Sequence, residues 1–412
     1  MQSEKINIKQ FLFGDLSKQT KGDRVIWTIV VILMLMSLLA IYSSTGTLAY
    51  LKKTHSETYL LKQIQLVPAG ILIIYIAHLF NYTIYSRIAR LLFIISVPML
   101  IYTLIFGANY NEASRWIKLP IFNFTFQTSD LAKLALFMYL SRQLSKRQEN
   151  IKSFKEGFLP LIFPVLIICA LIAPANLSTA LLTGATSLIL LFIGRVSIKH
   201  LGLVVIIASV PIILLMGIAK MYYDQESKSS KPLPSFLTKG RVETWIKRVQ
   251  NFMYADKETT SYQVQQAKIA IAKGGWVGMG PGNSESRNFL PHPYSDFIYA
   301  IIIEEYGLIG GSVVLLIYLL FLYRCIRIVK KTPYAFGAFL ALALSFTLVI
   351  QAMANMAVNV SLFPVTGVTL PLVSMGGSSF LFTCLAIGII LSVARNVESL
   401  EGKTETVSSE QQ

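Results

Sequence analysis

The chain of 412 residues is 54% hydrophobic and 14% charged, with a mean hydropathy of +0.59 and a formal net charge of +16. This balance excludes a soluble globular domain, and Cys169, Cys325 and Cys384 are too few and too scattered for a disulfide framework. The positive charge lies mainly in short connections between apolar runs, so it reads as a membrane-topology signal rather than a nucleic-acid patch.

Residues 1–24 are polar, and no small-residue cleavage site follows the first apolar run, which predicts a cytoplasmic tail and an uncleaved first helix. Apolar segments near the ~20 residues that cross a bilayer lie at 25–43, 63–80, 88–106, 129–144, 158–173, 178–194, 200–219, 296–323, 335–358 and 377–394. Backbone polar groups in hydrocarbon must be satisfied internally, so the expected fold class is an all-α polytopic membrane protein of about ten transmembrane helices. Lys5, Lys9, Lys18, Lys21 and Arg24 precede the first span; Arg87 and Arg90, Arg142 and Lys146, Arg195 and Lys199, and Arg324 and Arg327 fill alternate connections. That pattern places both termini in the cytoplasm and the one large loop, 220–295 between helices 7 and 8, outside. The expected organisation is a tail over 1–24, a membrane domain over 25–395 and a flexible cytoplasmic tail over 396–412.

Residues able to carry chemistry appear at few places. Arg115-Trp116 stands in an outer connection, where the guanidinium can hold a pyrophosphate by paired hydrogen bonds and the indole can stack on a sugar; a plain headgroup contact is equally compatible. Gln127-Thr128-Ser129-Asp130 leads to Lys133, and the i, i+3 spacing predicts a salt bridge that lowers the cost of both charges in a membrane span. Within the outer loop, Trp245, Ile246, Val249, Phe252 and Met253 form one apolar face of a helix, to be laid in the headgroup layer or packed on the bundle. A second helix over Tyr262–Lys273 ends at Gly274-Gly275. The glycines from Gly275 to Gly282, before Asn283, lack the Gly-Lys-Ser/Thr ending of a phosphate loop, so no nucleotide is expected; a tight loop or a direct ligand contact both fit.

Ser295-Asp296 opens the eighth span beside the large outer loop, as helix-start residues or as a catalytic carboxylate at an aqueous surface. Glu304 and Glu305 lie deeper, where acids mark a cavity, a relay or a buried pair; Gly307, Gly310 and Gly311 beside them favour a structural role in close helix packing. The stretch from Asn359 to Phe380 is uncharged yet broken by proline and glycine, which suits a partly re-entrant outer segment facing Asp296 or an ordinary loop. His55, His78, His200 and His292 are dispersed, which argues against a zinc centre; a metal would rest on carboxylate, carbonyl and phosphate oxygens.

Four blocks in order resemble the SEDS family of bacterial membrane proteins of shape, elongation, division and sporulation, over about 25–395. They are Arg115-Trp116 with Gln127-x-Ser129-Asp130-x-x-Lys133; Pro174-x-Asn176 through Thr179-Ala180; Gly274-Gly275 through Leu290-Pro291 to Asp296 and Glu304-Glu305-x-Gly307; and Pro364-x-Thr366-Gly367 through Leu370-Pro371 to Gly376-Gly377-Ser378-Ser379. The wording around Asp296 and Glu304 is most similar to the FtsW division branch, with the RodA elongation branch second. Three positions depart from the family pattern: Asp130 replaces a glutamate, Asn176 stands in a block that has lost its acid, and Met375 replaces a tyrosine.

The resemblance implies an inverting peptidoglycan glycosyltransferase that polymerises lipid II into β-1,4 glycan strands and releases undecaprenyl diphosphate, in septal wall synthesis. It implies a class B penicillin-binding transpeptidase and other divisome proteins as partners, and the bacterial inner membrane as location, with the active site on the outer face. Asp296 aligns with the acid to which the family's catalysis is assigned, and its expected role is general base or hydroxyl-orienting carboxylate. Arg115, Trp116, Lys133, Lys273, Asn283, Ser378 and Ser379 are expected to hold substrate and pyrophosphate; Gln127, Asp130, Asn176, Glu304, Glu305, Gly376 and Gly377 are expected to support the site. A Mg²⁺ or Mn²⁺ ion bridging pyrophosphate oxygens, with Asp296 as its one candidate protein ligand, would be compatible. Two rival readings are a lipid II flippase using the intramembrane charges and a non-catalytic division scaffold.

Overall fold

The computed structural model describes residues 22–45, 56–110, 113–118, 125–224, 229–230, 234, 241–254, 262–290 and 293–410. Long helices cover all ten predicted spans: α1 (Arg24–Ser44), α2 (Ser56–Leu79), α3 (Tyr82–Phe106), α4 (Thr128–Lys146), α5 (Leu159–Ile172), α6 (Leu177–Ile193) and α7 (Ile198–Met221), then α10 (Ile298–Lys331), α11 (Ala335–Asn359) and α12 (Ser378–Glu410). The long connection between α7 and α10 contributes α8 (Val242–Met253) and α9 (Tyr262–Gly274), both near their predicted limits. Eight spans have the length and hydropathy to cross a bilayer. The remaining two are α6, with 17 residues, and α4, which carries Asp130, Lys133, Arg142 and Lys146. The last helix runs through Glu410, beyond the expected boundary at 395.

Burial orders the bundle from the centre outward. The apolar windows of α11 and α12 are 67% and 72% buried, so these helices form its core, whereas α7 is only 6% buried and stands at the periphery. Large exposed side chains on α7, such as Ile206, Ile213 and Leu214, are what a lipid-facing helix presents. A small antiparallel sheet, β1 (Ala108–Tyr110), β2 (Ala113–Lys118) and β3 (Thr125–Gln127), bridges α3 and α4 and pairs Trp116 with Gln127. Two further residues of strand, β4 (Tyr223–Asp224) and β5 (Ser229–Ser230), follow α7.

At the opposite end from this sheet, Asp23 caps α1 by accepting the amides of Val25 at 2.9 Å and Ile26 at 3.2 Å. Its second oxygen accepts Nε of Arg324 at 2.9 Å, which ties the start of α1 to the end of α10. The aspartate thereby satisfies orphan amides and a cation together.

The α8 helix docks on the bundle. Ile246 is fully buried, and the buried Gln250 amide donates to the Ala219 and Tyr222 carbonyls at 2.9 and 3.2 Å, capping α7. Phe252 and Met253 remain exposed on the same helix.

The glycine-rich segment after α9 is a tight loop woven into α10. At Gly307 (φ 68°, ψ −173°) α10 breaks, which would orphan two carbonyls before the break and two amides after it. Met279 and Gly280 donate to the Glu304 and Glu305 carbonyls at 2.9 and 3.0 Å, while Leu308 and Ile309 donate to the Gly275 and Trp276 carbonyls at 2.9 and 3.2 Å. Four bonds to the loop thus replace those the helix loses. The fit allows no side chain: a Cβ at Gly307 would stand 2.2 Å from the Trp276 carbonyl oxygen.

This junction predicts that Gly307→Ala costs about 2 kcal/mol or more, since it combines a glycine-only backbone region with a backbone clash. Thermal unfolding of the purified protein in detergent should show a clearly lowered Tm; an unchanged Tm would mean that the loop can slide away from α10.

Candidate active site

A cavity of about 440 Å³ opens where α4, α6, α8 and α11 meet the Ser295-Asp296 turn and the irregular segment after α11. That volume lies within the ~300–1,000 Å³ range of small-molecule sites. Trp116, Gln127, Asp130 and Lys133 line one wall, Asn176, Thr179 and Thr183 another, Gln351 and Gly367–Thr369 a third, and Met375, Gly376, Gly377 and Ser379 close it. Arg241 and Arg248 enter from the segment between α7 and α10, and Asp296 stands among them.

Asp296 is fixed through its main chain. Its carbonyl accepts the side-chain amides of Asn355 and Asn359, both at 2.9 Å. Asn359 Oδ1 accepts the Ala300 amide at 3.0 Å, which it shares with the Phe297 carbonyl at 3.1 Å in the first turn of α10. One turn before Asn359, the Asn355 amide also donates to the Val368 carbonyl at 2.7 Å, and Gln351 donates to the Thr369 carbonyl at 3.0 Å. The Ser374 hydroxyl donates to the Ser295 carbonyl at 2.7 Å and accepts the Leu370 amide at 2.8 Å. A single face of α11 therefore holds both the Asp296 turn and the segment opposite it. That segment is irregular, exposed at Leu362 and Phe363 and deeply buried at Leu370, Leu372 and Val373.

The Asp296 side chain is oriented as firmly. Ser295 Oγ donates to its Oδ1 at 2.7 Å, leaving Oδ2 over the backbone of Gly367 (φ +66°), where a Cβ would lie 3.4 Å away. Glycine at 367 leaves that oxygen room for a ligand.

Among the described lining residues, three cations, Arg241, Arg248 and Lys133, stand against two carboxylates, Asp130 and Asp296. Asp130 and Lys133 form the predicted ion pair at 2.8 Å. Arg248 is held by the Val365 carbonyl at 3.0 Å and Arg241 by the Ala175 carbonyl at 2.6 Å. Burial lowers the Arg248 pKa, the neighbouring Arg241 adds to that, and the Asp296 charge opposes both. Like charges this close disfavour each other, and the Asp296 carboxylate offsets that for Arg248.

Several predicted site residues lie elsewhere. Lys273 is ion-paired with Glu285 on an exposed surface, and the hydrogen bond to Glu285 raises its pKa. Asn283 folds back on the Met279 carbonyl at 3.0 Å. Neither lines the cavity, because the segment after α9 is committed to the break in α10. Ser378 is buried, and its hydroxyl accepts the Gln127 amide at 3.1 Å, so it joins β3 to α12 rather than facing a ligand. Asn176 caps α6 by accepting the Thr179 amide at 3.2 Å while lining the cavity. The Arg115 side chain lies outside the described residues.

Glu304 and Glu305 are engaged in hydrogen bonds inside the fold. Both are buried; Glu304 accepts from the Ser284 and Ser286 hydroxyls and from the amides of Glu285 and Ser286. Glu305 accepts from Ser43 and from the amides of Gly282 and Ser284, with Arg287 close by. Together they hold the loop that leads to Asp296.

Arg241, Arg248, Gln351, Asn355 and Asn359 are site residues that the sequence reading passed over. Two signals were present. Arg241 and Arg248 are seven residues apart, on one face of a helix, and Gln351, Asn355 and Asn359 recur every fourth residue through an apolar span.

Long apolar helices packed around a polar cavity that holds one fixed carboxylate and two arginines define a polytopic membrane protein. The model of the FtsW/RodA/SpoVE family, described as cell cycle protein, matches residues 23–399, and the chain belongs to that family. The stage V sporulation protein E of Bacillus subtilis is 30% identical over 92% of this chain and 98% of its own length. A probable peptidoglycan glycosyltransferase FtsW of Trichlorobacter lovleyi is 31% identical over 91% and 94%. Among solved structures, a chain of a peptidoglycan synthase complex has a similar fold (TM-score 0.70, 21% identity, 91% of this chain and 98% of that one), as does the rod shape determining protein RodA of Thermus thermophilus (TM-score 0.64, 19% identity, 91% and 97%).

Replacing Asn359 with Leu should remove one of two donors to the Asp296 carbonyl and one of two acceptors of the Ala300 amide, which keeps the Phe297 carbonyl at 3.1 Å. A buried hydrogen bond contributes about 0.5–1.5 kcal/mol net, so Asn359→Leu is expected to lower the thermal midpoint, and Asn359→Asp should recover less than half of the loss.

Proposed function

We propose that this chain is an inverting peptidoglycan glycosyltransferase that polymerises lipid II into β-1,4 glycan strands at the outer face of the bacterial inner membrane. The observation that carries the reading is the Asp296 carboxylate, fixed at the wall of a polar cavity that Arg241 and Arg248 enter from the outer loop. Family membership and the naming of relatives as probable peptidoglycan glycosyltransferases support it.

The donor carries a diphosphate on its anomeric carbon and the acceptor offers a sugar hydroxyl. Asp296 accepts the hydroxyl proton as the oxygen attacks the anomeric carbon; the new glycosidic bond forms as the bond to the diphosphate oxygen breaks. A single displacement turns an α-linked leaving group into a β-linkage, so one base and one stabiliser of the departing charge suffice. Arg248, with Arg241 beside it, receives the diphosphate charge. Lys133 is already neutralised by Asp130, which makes it a poorer anion receptor. Among the described residues no three His, Cys, Asp or Glu side chains converge, so a Mg²⁺ or Mn²⁺ ion would be held chiefly by the diphosphate, with Asp296 its one carboxylate free of an ion pair. Arginine-rich alternate connections support placing both termini in the cytoplasm and the cavity outside. The solved fold relative within a peptidoglycan synthase complex supports a class B penicillin-binding transpeptidase as partner, and the FtsW relatives support a role in septal wall synthesis with other divisome proteins.

The deciding experiment measures glycan polymer in proteoliposomes holding lipid II and the cognate transpeptidase, with crosslinking blocked by a β-lactam. Asp296→Asn should lose at least ~10²-fold in rate, the contribution typical of a general base. Polymer at the wild-type rate from Asp296→Asn would remove the carboxylate from the chemistry. No polymer from the wild type, with lipid II crossing the bilayer, would turn the reading to a flippase.

In the same assay Arg248→Gln should lower the rate by roughly 10- to 10³-fold, as the loss of a charge-stabilising donor does, while Lys273→Gln, outside the cavity, should stay within twofold of wild type.

A further inference from the structure

Asp130 is a buried carboxylate, 5% exposed, that lines the cavity from the first turn of α4. Lys133 holds its Oδ1 at 2.8 Å, but its Oδ2 has no hydrogen-bond partner. An ionised oxygen left this way in a membrane-spanning bundle is costly unless something donates to it. Nearby groups do not serve. The Gln351 amide nitrogen is engaged with the Thr369 carbonyl, and its oxygen faces the Lys133 ammonium at 3.5 Å. Gln127 donates instead to Ser129 Oγ at 2.9 Å.

We infer that Asp130 and Lys133 form a saccharide subsite, at which Asp130 accepts an O–H or N–H from the sugar portion of the substrate. This rests on the glycosyltransferase reading and adds to it which part of the substrate lies at this wall. The torsion about an aspartate Cβ–Cγ bond is broad and roughly two-fold, so the carboxylate can turn its second oxygen to the cavity while Lys133 keeps the first. The Lys133 ammonium has three N–H donors, two of them directed to Asp130 and Gln351. Its third complements the Asp130 oxygen, giving a donor and an acceptor side by side. A sugar hydroxyl, or the amide of an N-acetyl group, matches both; a diphosphate does not, because the unpaired carboxylate oxygen repels it. The cavity is thereby divided by charge. The arginine side of α8 takes the diphosphate and the α4 side takes the neutral sugar.

The neighbourhood supports a polar, uncharged ligand. Thr179, Thr183 and Thr186 line the cavity from α6, and Ser379 and Gln351 complete its polar surface near Lys133. Below the pair, a crevice between α4, α11 and α12 is walled chiefly by Leu134, Phe137, Leu344, Leu348 and Phe382, and the Thr347 and Thr383 hydroxyls there already donate to the Ala343 and Ser379 carbonyls at 2.7 and 2.9 Å.

The test compares binding of two lipids to purified, detergent-solubilised Asp296→Asn protein, in which chemistry is slowed: lipid II, and undecaprenyl diphosphate, which carries no sugar. Adding Asp130→Asn together with Lys133→Gln, which removes both charges at once, should weaken lipid II binding by about tenfold or more, the size expected for a hydrogen bond to a charged group. Undecaprenyl diphosphate binding should change by less than twofold, which also reports that the fold is intact. Asp130→Glu, which keeps the pair, should restore lipid II binding to within about threefold. Equal weakening for both lipids would assign the pair to folding or to general charge and overturn the subsite, as would no weakening for either. Because the assay reads binding alone, failure of polymerisation in proteoliposomes would count against the glycosyltransferase reading without touching this result.

Discussion

Every departure from regular helix in this bundle is bounded by one constraint: a backbone amide or carbonyl inside the membrane must find a partner. The chain breaks helical geometry twice near the cavity, at Gly307 within α10 and over the stretch between α11 and α12. Each break is answered in kind. At Gly307 the segment from Gly275 to Gly280 supplies two carbonyls and two amides, so backbone satisfies backbone. Between α11 and α12 the answer comes from side chains, with Gln351, Asn355 and Asn359 reaching the carbonyls of Thr369, Val368 and Asp296. Irregular backbone is what lets a polar cavity exist at this depth, and the amide ladder on α11 is what lets the irregular backbone persist.

The same ladder explains why the Asp296 carboxylate is not spent on capping α10. An aspartate at a helix start ordinarily spends its carboxylate on the orphan amides of the first turn. Here Asn359 Oδ1 takes the Ala300 amide, and the asparagines fix the aspartate through its carbonyl. The Asp296 side chain is thereby released from capping, with Ser295 on one oxygen and the glycine backbone under the other. Contrast Asp23, where one oxygen caps α1 and the other holds Arg324, leaving nothing for a ligand.

Hydropathy and the positive charge of alternate connections made the ten helices legible, since lipid exposure imposes length and composition on each span directly. The Asp130–Lys133 pair was equally legible, because i, i+3 neighbours meet whatever the tertiary fold. What escaped were contacts fixed only in three dimensions. Lys273 looks in sequence like a spare cation, but the loop turns it onto Glu285. Asn283, next to a glycine run, looks like a ligand contact, yet that run is consumed by the gap in α10. Arg248 sits just off the apolar stripe of its helix, where a charge reads as solvated; docking of Ile246 and Gln250 against α7 turns it inward instead. A helical wheel gives the face of a helix but not the direction from which the bundle meets it.

Charge in the cavity comes from elements of different character. Asp130 and Lys133 stand on α4 within the bundle, and Asp296 is locked to α11, whereas both arginines belong to the outer loop. The arginines reach the site through carbonyls of other segments, Val365 beyond α11 and Ala175 ahead of α6. Displacing α8 would therefore withdraw two positive charges while leaving the carboxylate and the ion pair in place. The cavity would pass from a net charge of +1 among these groups to −1, from three cations against two carboxylates to one against two. At low local dielectric such a reversal governs whether an anionic ligand is held at all. The charge of the cavity thus depends on how firmly the loop between α7 and α10 is docked, and the position of the Asp296 carboxylate does not.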